Sequence, residues 1–373
     1  MVRWIALLCM IFVAGMLSGC GAPDEGLREL DRELASAAPE GQRLGGTGPA
    51  IKIVGSSTVA PFASTVAEQF GAATRYQTPI VETTGTGGGF KVFCEGAGPS
   101  TPSIANASRR ITASELELCA RAGVVDLVEI PIGFDGIAVV SSKQGPTYQL
   151  TNEVLYQALA ADLPDGAGGW RANPHRRWSD VSADLPPIPI LVSGPPPTSG
   201  TRDAFLTLAL EPGAEAFPQL AALKLSDPTA FETRVHTLRS DGAWIDAGEN
   251  DAAIIQTLIK NNDALGVLGF SFLDQNSDRV RAAEISGVAP TFETISSGEY
   301  SVSRSLYVYV KRQNAAIVPG LVDFLDAFTA EEAWGPSGYL AQRGLIPLPQ
   351  PNRAAVRDEA LSFKRMAGDG SGQ

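Results

Sequence analysis

Four short stretches gather small hydroxyl residues, glycines and arginines. They are Gly55-Ser56-Ser57-Thr58-Val59, Gly85-Thr86-Gly87-Gly88-Gly89-Phe90, Asn106-Ala107-Ser108-Arg109-Arg110 and Ser199-Gly200-Thr201-Arg202-Asp203. Their chemistry is hydrogen-bond donation rather than covalent attack. Ser57, Thr58, Thr86, Ser199 and Thr201 offer hydroxyls, while Gly87, Gly88 and Gly200 let the backbone come close to a ligand. Arg109, Arg110 and Arg202 add guanidinium forks, which match a tetrahedral oxyanion bidentately. The ordinary alternative for Ser56 to Thr58 is helix capping, a favoured use of Ser and Thr, and it is the preferred reading of that stretch taken alone. Capping needs only one such residue, so the sharper reading is that the N–H groups of the helix start await an anion. For Arg109 and Arg110 the alternative is a surface or ion-pair role, because adjacent side chains seldom face the same way.

Enzyme signatures are mostly missing. No G-x-S-x-G elbow occurs, and Gly85-Thr86-Gly87-Gly88-Gly89-Phe90 lacks both the Lys-Ser/Thr ending of a P-loop and the glycine spacing of a dinucleotide site. The two histidines, His175 and His236, sit in no paired ligand spacing, and neither is placed to serve as base to a serine.

The elements that must position these donors alternate between strand and helix. Ile51–Val54 reads as a strand leading through Ser56 to Thr58 into a helix over Pro61–Phe70. Ile80–Thr83 is a short strand before the glycine-rich turn, and Phe90 and Phe93 fall on one side of a helix. A helix over Ala113–Ala122 leads to two strand-like runs, Leu127–Ile130 and Phe134–Val140. The later chain carries a helix over Thr151–Ala160 and a strand over Ile188–Val192. A helix capped by Ser199 or Thr201 then follows, with Phe205, Leu206, Ala209 and Leu210 on one face. Ala264–Phe270 and Ser305–Val310 read as strands, and Pro319–Phe328 as a helix. The device of strand, small hydroxyl residues and helix start is thus built twice. The alternation predicts an α/β fold with a largely parallel sheet, in which ligands sit outside the carboxyl ends of the strands.

With 373 residues, 44% hydrophobic and 19% charged, the chain is long enough for two domains. A formal charge of −12 argues against nucleic acid or an anionic membrane bound through a basic surface. It does not argue against a small anion, since at about 0.15 M salt the Debye length is about 8 Å and distant carboxylates are screened. The first twenty residues read as a signal peptide: Arg3, then an apolar run from Trp4 to Leu17, then Leu17-Ser18-Gly19-Cys20. That ending resembles a bacterial lipobox, in which Cys20 becomes the lipidated first residue of the mature chain. Residues 21–48 read as a flexible tether with a short charged patch over Leu27–Leu34, and Gly368–Gln373 as a frayed end. Removal of Cys9 and lipidation of Cys20 leave Cys94 and Cys119, which in an oxidising compartment most simply form one disulfide.

The four stretches, together with Phe134-Asp135-Gly136-Ile137-Ala138-Val139-Val140, resemble in their order the phosphate-binding proteins of phosphate ABC transporters, from about Ile51 to about Pro347. The resemblance implies a two-lobed periplasmic-binding-protein fold of the type II kind, each lobe a mixed, largely parallel sheet flanked by helices, closing on its ligand by a hinge motion. Residues 49–140 with 270–350 would form one lobe and 141–269 the other, with 351–373 as a C-terminal tail. Ser57, Thr58, Thr86, Gly87, Ser108 and Arg109 would bind from the first lobe, and Ser199, Gly200, Thr201 and Arg202 from the second. No cofactor or metal is implied. Two positions depart from the family pattern: Arg109 stands where well-known members have a proton-accepting aspartate, and Pro195 where many have an arginine. Asp135 is a candidate substitute acceptor, with a structural role as its rival.

The expectation is therefore a membrane-anchored solute-binding lipoprotein that delivers inorganic phosphate to an ABC permease. Rival expectations are another oxyanion (sulfate, molybdate or a phosphonate) and a surface adhesin or envelope sensor that reuses the fold; a phosphatase ranks last. Because Gly21 rather than aspartate follows Cys20, an anchor in the outer of two membranes is expected, with the protein periplasmic or on the cell surface.

Overall fold

A computed structural model describes residues 48–248 and 251–366. The signal peptide, Cys20, nearly all of the tether and the Gly368–Gln373 end lie outside these residues. The described chain is α/β, as expected. One nine-stranded sheet runs through it, built from β1 (Lys52–Gly55), β2 (Ile80–Thr83), β3 (Ile104–Ala107), β4 (Leu127–Ser142), β5 (Val192–Gly194), β6 (Trp244–Asp246), β7 (Leu265–Gly269), β8 (Val280–Ala282) and β9 (Ser303–Lys311). Their spatial order is β2-β1-β3-β9-β4-β7-β5-β6, with β8 also on β4. Pairs toward the two ends are parallel, β2–β1–β3 and β7–β5–β6. Pairs at the centre are antiparallel, because β9 and β4 run back through the middle.

The middle strand is the organising element. β4 pairs with β9 over Leu127–Gly136 and with β7 over Ile137–Ser141, so one strand of 16 residues serves both halves. Pro131 and Gly133 make the sequence read as two runs, yet the strand continues through them. The register slips between Leu306 and Tyr307 of β9, opposite Pro131, and such a bulge is where a residue without an N–H is tolerated. The strand expected over Ile188–Val192 begins only at Val192, because the prolines at 186, 187 and 189 cannot donate to a ladder.

Buried side chains settle on both halves of this sheet. Ile51, Ile53, Val59, Phe62, Val66 and Phe70 pack with Val308, Phe324 and Trp334 on one half. Leu155, Tyr156, Trp178, Phe205, Trp244 and Leu265 pack on the other. Each such side chain contributes about 1.5–3 kcal/mol on leaving water. Helix α1 (Ala60–Ala73) lays its apolar face on the first cluster, and α4 (Asn152–Leu159) lays its own on the second. The first part of the segment expected as a tail is helical. Helix α7 (Gln350–Leu361) buries Ala360, and Arg353 holds Glu331 through two bonds of 3.0 and 2.9 Å.

Cys94, at the end of α2 (Thr86–Phe93), is bonded to Cys119 in α3 (Ala113–Arg121). Closing that loop contributes about 3 kcal/mol in the chain-entropy picture. The crosslink fastens α2, and so the glycine-rich turn at its head, to the helix that follows Arg109.

Two glycines let α2 lie against β1. Gly55 has φ +129°, and a Cβ there would stand 2.1 Å from the carbonyl oxygen of Asn106. A Cβ on Gly89 would stand 2.4 Å from the Cα of Gly55, backbone that cannot yield, whereas at Gly88 the nearest atom is 3.5 Å away. Gly89→Ala is therefore expected to destabilise by about 1–3 kcal/mol. Gly88→Ala, in the same helix, is expected to be neutral or to stabilise by up to about 1 kcal/mol. Urea denaturation midpoints of the two variants check this, and equal midpoints would contradict the close packing.

Candidate functional site

Helix α1 begins without a side-chain cap. Its N-cap is Val59, Pro61 occupies the first turn, and none of Ser56, Ser57 and Thr58 caps it. The capping reading of this stretch therefore fails. Ser56 is buried and its N–H donates to the Asn106 carbonyl at 2.9 Å, while Ser57 is exposed. Among the described residues nothing accepts from the N–H groups of Ser57, Thr58 and Val59. Unmet donors at a helix start with the positive end of its dipole make a seat for an anion.

The second device is α5 (Gly200–Phe205), which runs on through a π-helical turn, Leu206–Leu210, into α6 (Glu211–Glu215). Ser199 is its N-cap, accepting from the Thr201 N–H at 3.3 Å, so one of the two expected caps is in place. Gly200 faces the first device. A Cβ added to it would stand 3.4 Å from the Thr58 Cα and 3.6 Å from Oγ1, so the two starts meet across the sheet with only a glycine between them.

A third start lies beside β1. Thr86 opens α2 and pairs with Ser108, hydroxyl to hydroxyl at 3.1 Å, and accepts from the Ser108 N–H at 3.2 Å. Gly87 stands near Arg109, whose Nη2 would lie 3.7 Å from a Cβ there. Arg109 itself is clamped by Glu115, with bonds of 2.9 and 2.8 Å. That pairing raises the arginine's pKa. Burial works to raise the Glu115 carboxyl, but its hydrogen bonds to Arg109 and Thr112 outweigh burial and hold it below the usual range.

Arg202 points elsewhere. It is 8% exposed, donates to the Pro195 carbonyl at 3.0 Å and to Asp246 at 2.9 Å, and lies over the Trp244 ring. Burial lowers its pKa, and Asp246 offsets this only in part. The structure thus joins Thr58 to Gly200 and Thr86 to Ser108 and Gly87 to Arg109, and turns Arg202 into the wall behind α5.

Three residues here were given no role from the sequence, although two of them, Asn106 and Asp203, lie in the stretches quoted above. Arg304, on β9 opposite Asp135 in register, donates from Nη2 to Thr58 Oγ1 at 2.7 Å and from Nε to Asp135 at 3.4 Å. Asp203, on α5, comes within 3.8 Å of the same Nη2. Asn106 is 1% exposed, and neither of its side-chain amide atoms has a partner among the described residues. The one available signal for Arg304 was a lone charge heading the apolar run of β9; nothing in the sequence indicated its partners. Asp135 is 17% exposed, and burial pushes its carboxyl above the usual range, with Arg304 opposing and Asp203 adding to the rise. Among the described residues no cluster of three His, Cys, Asp or Glu side chains could hold a metal. A concavity of about 1080 Å³ opens between Phe270–Gln275 and residues 336–350 and includes none of these groups.

The starts of α1 and α5 thus meet at Thr58 and Gly200, on one sheet shared by two halves. A model of the PBP superfamily domain matches residues 36–332. The chain belongs to this superfamily, in its PstS-like branch, which is one of binding components rather than enzymes. Among its relatives is Protein SphX of Synechocystis, 32% identical over 82% of this chain and 80% of that one. Phosphate-binding protein PstS of Staphylococcus saprophyticus is 27% identical over 80% of this chain and 81% of its own. A possible phosphate binding protein from Planctomyces limnophilus, known from its crystal structure, superposes with a TM-score of 0.67 at 26% identity, covering 85% of this chain and 99% of the other.

The raised pKa of Asp135 has a consequence for stability. A carboxyl that holds its proton more tightly when folded loses stabilisation as pH rises past the ordinary carboxylate range. The unfolding free energy of Asp135→Asn, measured against wild type by urea titration, should therefore improve steadily as pH rises from below that range toward neutrality. A difference independent of pH would contradict the assignment.

Proposed function

We propose that the protein captures inorganic phosphate and hands it to an ABC permease, working as an exported protein anchored through lipid on Cys20. The observation that carries this reading is the meeting of two helix starts, Thr58 and Gly200, with unpaired N–H groups on the α1 side. An oxyanion between them would take hydrogen bonds from both. Thr86, Ser108, Ser199 and Thr201 add hydroxyls nearby, and Arg109 borders the α2 start. The printed names of PstS and of the Planctomyces protein point to the same ligand.

In this reading residues 49–140 with 270–350 form one lobe and 141–269 the other, and β4, the strand that pairs in both halves, is the hinge. Asp135 takes the place of the missing proton acceptor. As a carboxylate it accepts a hydrogen bond from protonated phosphate and repels an anion that has no proton to offer, which sets phosphate apart from sulfate. No described helix is long and apolar enough to cross a membrane, so in this proposal attachment rests on the lipid. Gly21 after Cys20 favours the outer membrane where the host has two.

Isothermal titration of the chain from residue 21 onward, with Cys20 omitted, is the direct test. One phosphate per protein is expected, with sulfate at least about 100-fold weaker, the scale set by leaving a buried polar group unpaired. Silence with phosphate at millimolar concentration would overturn the proposal.

A further inference from the structure

Four arginines stand near the helix starts, and three are already engaged. Arg109 gives both terminal nitrogens to Glu115. Arg110 stands 3.4 Å from Glu129 and over the Tyr307 ring. Arg202 is packed on Trp244 and bonded to Asp246 and Pro195. Arg304 differs from all of them. Its side chain is only 11% exposed, and it reaches the Thr58 hydroxyl on one side of the gap and approaches Asp203 of α5 on the other. Its Nη1 donates to no other described residue.

We infer that Arg304 supplies the guanidinium that binds the oxyanion in this site, and that the ligand takes the place of Asp203 as its partner. The inference rests on the oxyanion reading above and adds a residue and an exchange to it. Geometry favours Arg304 because Thr58 is the point where the two helix starts meet, so an anion seated there lies beside the nitrogen that already holds its hydroxyl. The carboxylates around Arg304 divide the work. Asp135 faces it in register across two central strands and fixes the plane of the fork. Asp203 is 53% exposed and lies 3.8 Å away, too long for a hydrogen bond, so it is the partner that yields. Placing the cation on β9 also accounts for Pro195. A site whose guanidinium comes from a central strand needs none from the turn before α5, and Arg202, within α5, is free to buttress Trp244.

Phosphate calorimetry on wild type, Arg304→Gln, Arg304→Lys and Asp203→Asn tests the exchange, with circular dichroism confirming each fold. Arg304→Gln should lose about 30-fold or more in affinity, since a hydrogen bond to a charged group is removed. The loss should be larger at the pH where phosphate is a dianion than where it is a monoanion, which a purely structural role would not produce. Arg304→Lys keeps the charge but cannot hold Thr58 and the ligand together, so about a tenfold loss is expected. Asp203→Asn removes the competitor and should bind phosphate more tightly, most clearly at low salt.

Wild-type affinity in a folded Arg304→Gln would overturn the inference while leaving the phosphate reading in place. So would weaker binding by Asp203→Asn. Should Arg304→Gln fail to fold, unchanged affinity in Arg304→Lys would overturn it instead. Silence of the wild type toward phosphate would bring down both readings.

Discussion

The guanidinium of Arg304 ties together residues that the chain delivers from distant places. Its bonds reach back 246 positions to Thr58 and 169 to Asp135, and the same fork approaches Asp203 from the other half of the sheet. Contacts of such sequence separation exist only because β4 and β9 lie side by side at the centre. On one side of the bulge the β4–β9 register sets Arg304 opposite Asp135, and on the other it sets Val308 opposite Ile130 in the apolar cluster under α1. A slip by one residue would turn both faces over, so the core that stabilises the sheet also fixes the charge at the site.

The surroundings of that fork are economical in charge. The chain is acidic overall, and two carboxylates flank Arg304. Anion binding here cannot come from a positive surface. It must come from short-range donors: N–H groups at helix starts, hydroxyls, and a single cation buried enough to act at close range. Those contribute where the ligand touches them, while the remote negative charge is screened within about 8 Å at physiological salt. The unpartnered amide of Asn106, beside Ser56, adds buried hydrogen-bonding capacity at the end of β3.

Much of this was legible in the sequence. The alternation of apolar runs with hydroxyl-rich turns located β1, α1, β2, α2 and the start of α5, because period and turn chemistry are local properties. Misreadings arose where local chemistry was overruled from a distance. Pro131 marks a break in any isolated strand, but a bulge at Ile132 of β4 lets the strand pass through it. The prolines before Leu191 shorten β5, a consequence available from the residues themselves. Ser56 to Thr58 resemble caps, yet Thr58 is held by Arg304, a partner on a strand no local rule associates with it. Arg202 sits beside a capped start and looks like a ligand group, and only packing against Trp244 reveals its other allegiance.

The account centres on one gap shared by two helix starts and one guanidinium. A crystal structure of the protein grown with phosphate tests it most directly. The account predicts a single tetrahedral anion within hydrogen-bond reach of the Thr58 N–H, the Gly200 or Thr201 N–H and an Arg304 Nη, with Asp203 displaced from that nitrogen. An anion bound elsewhere, or one held in the gap while Arg304 remains with Asp203, would contradict it.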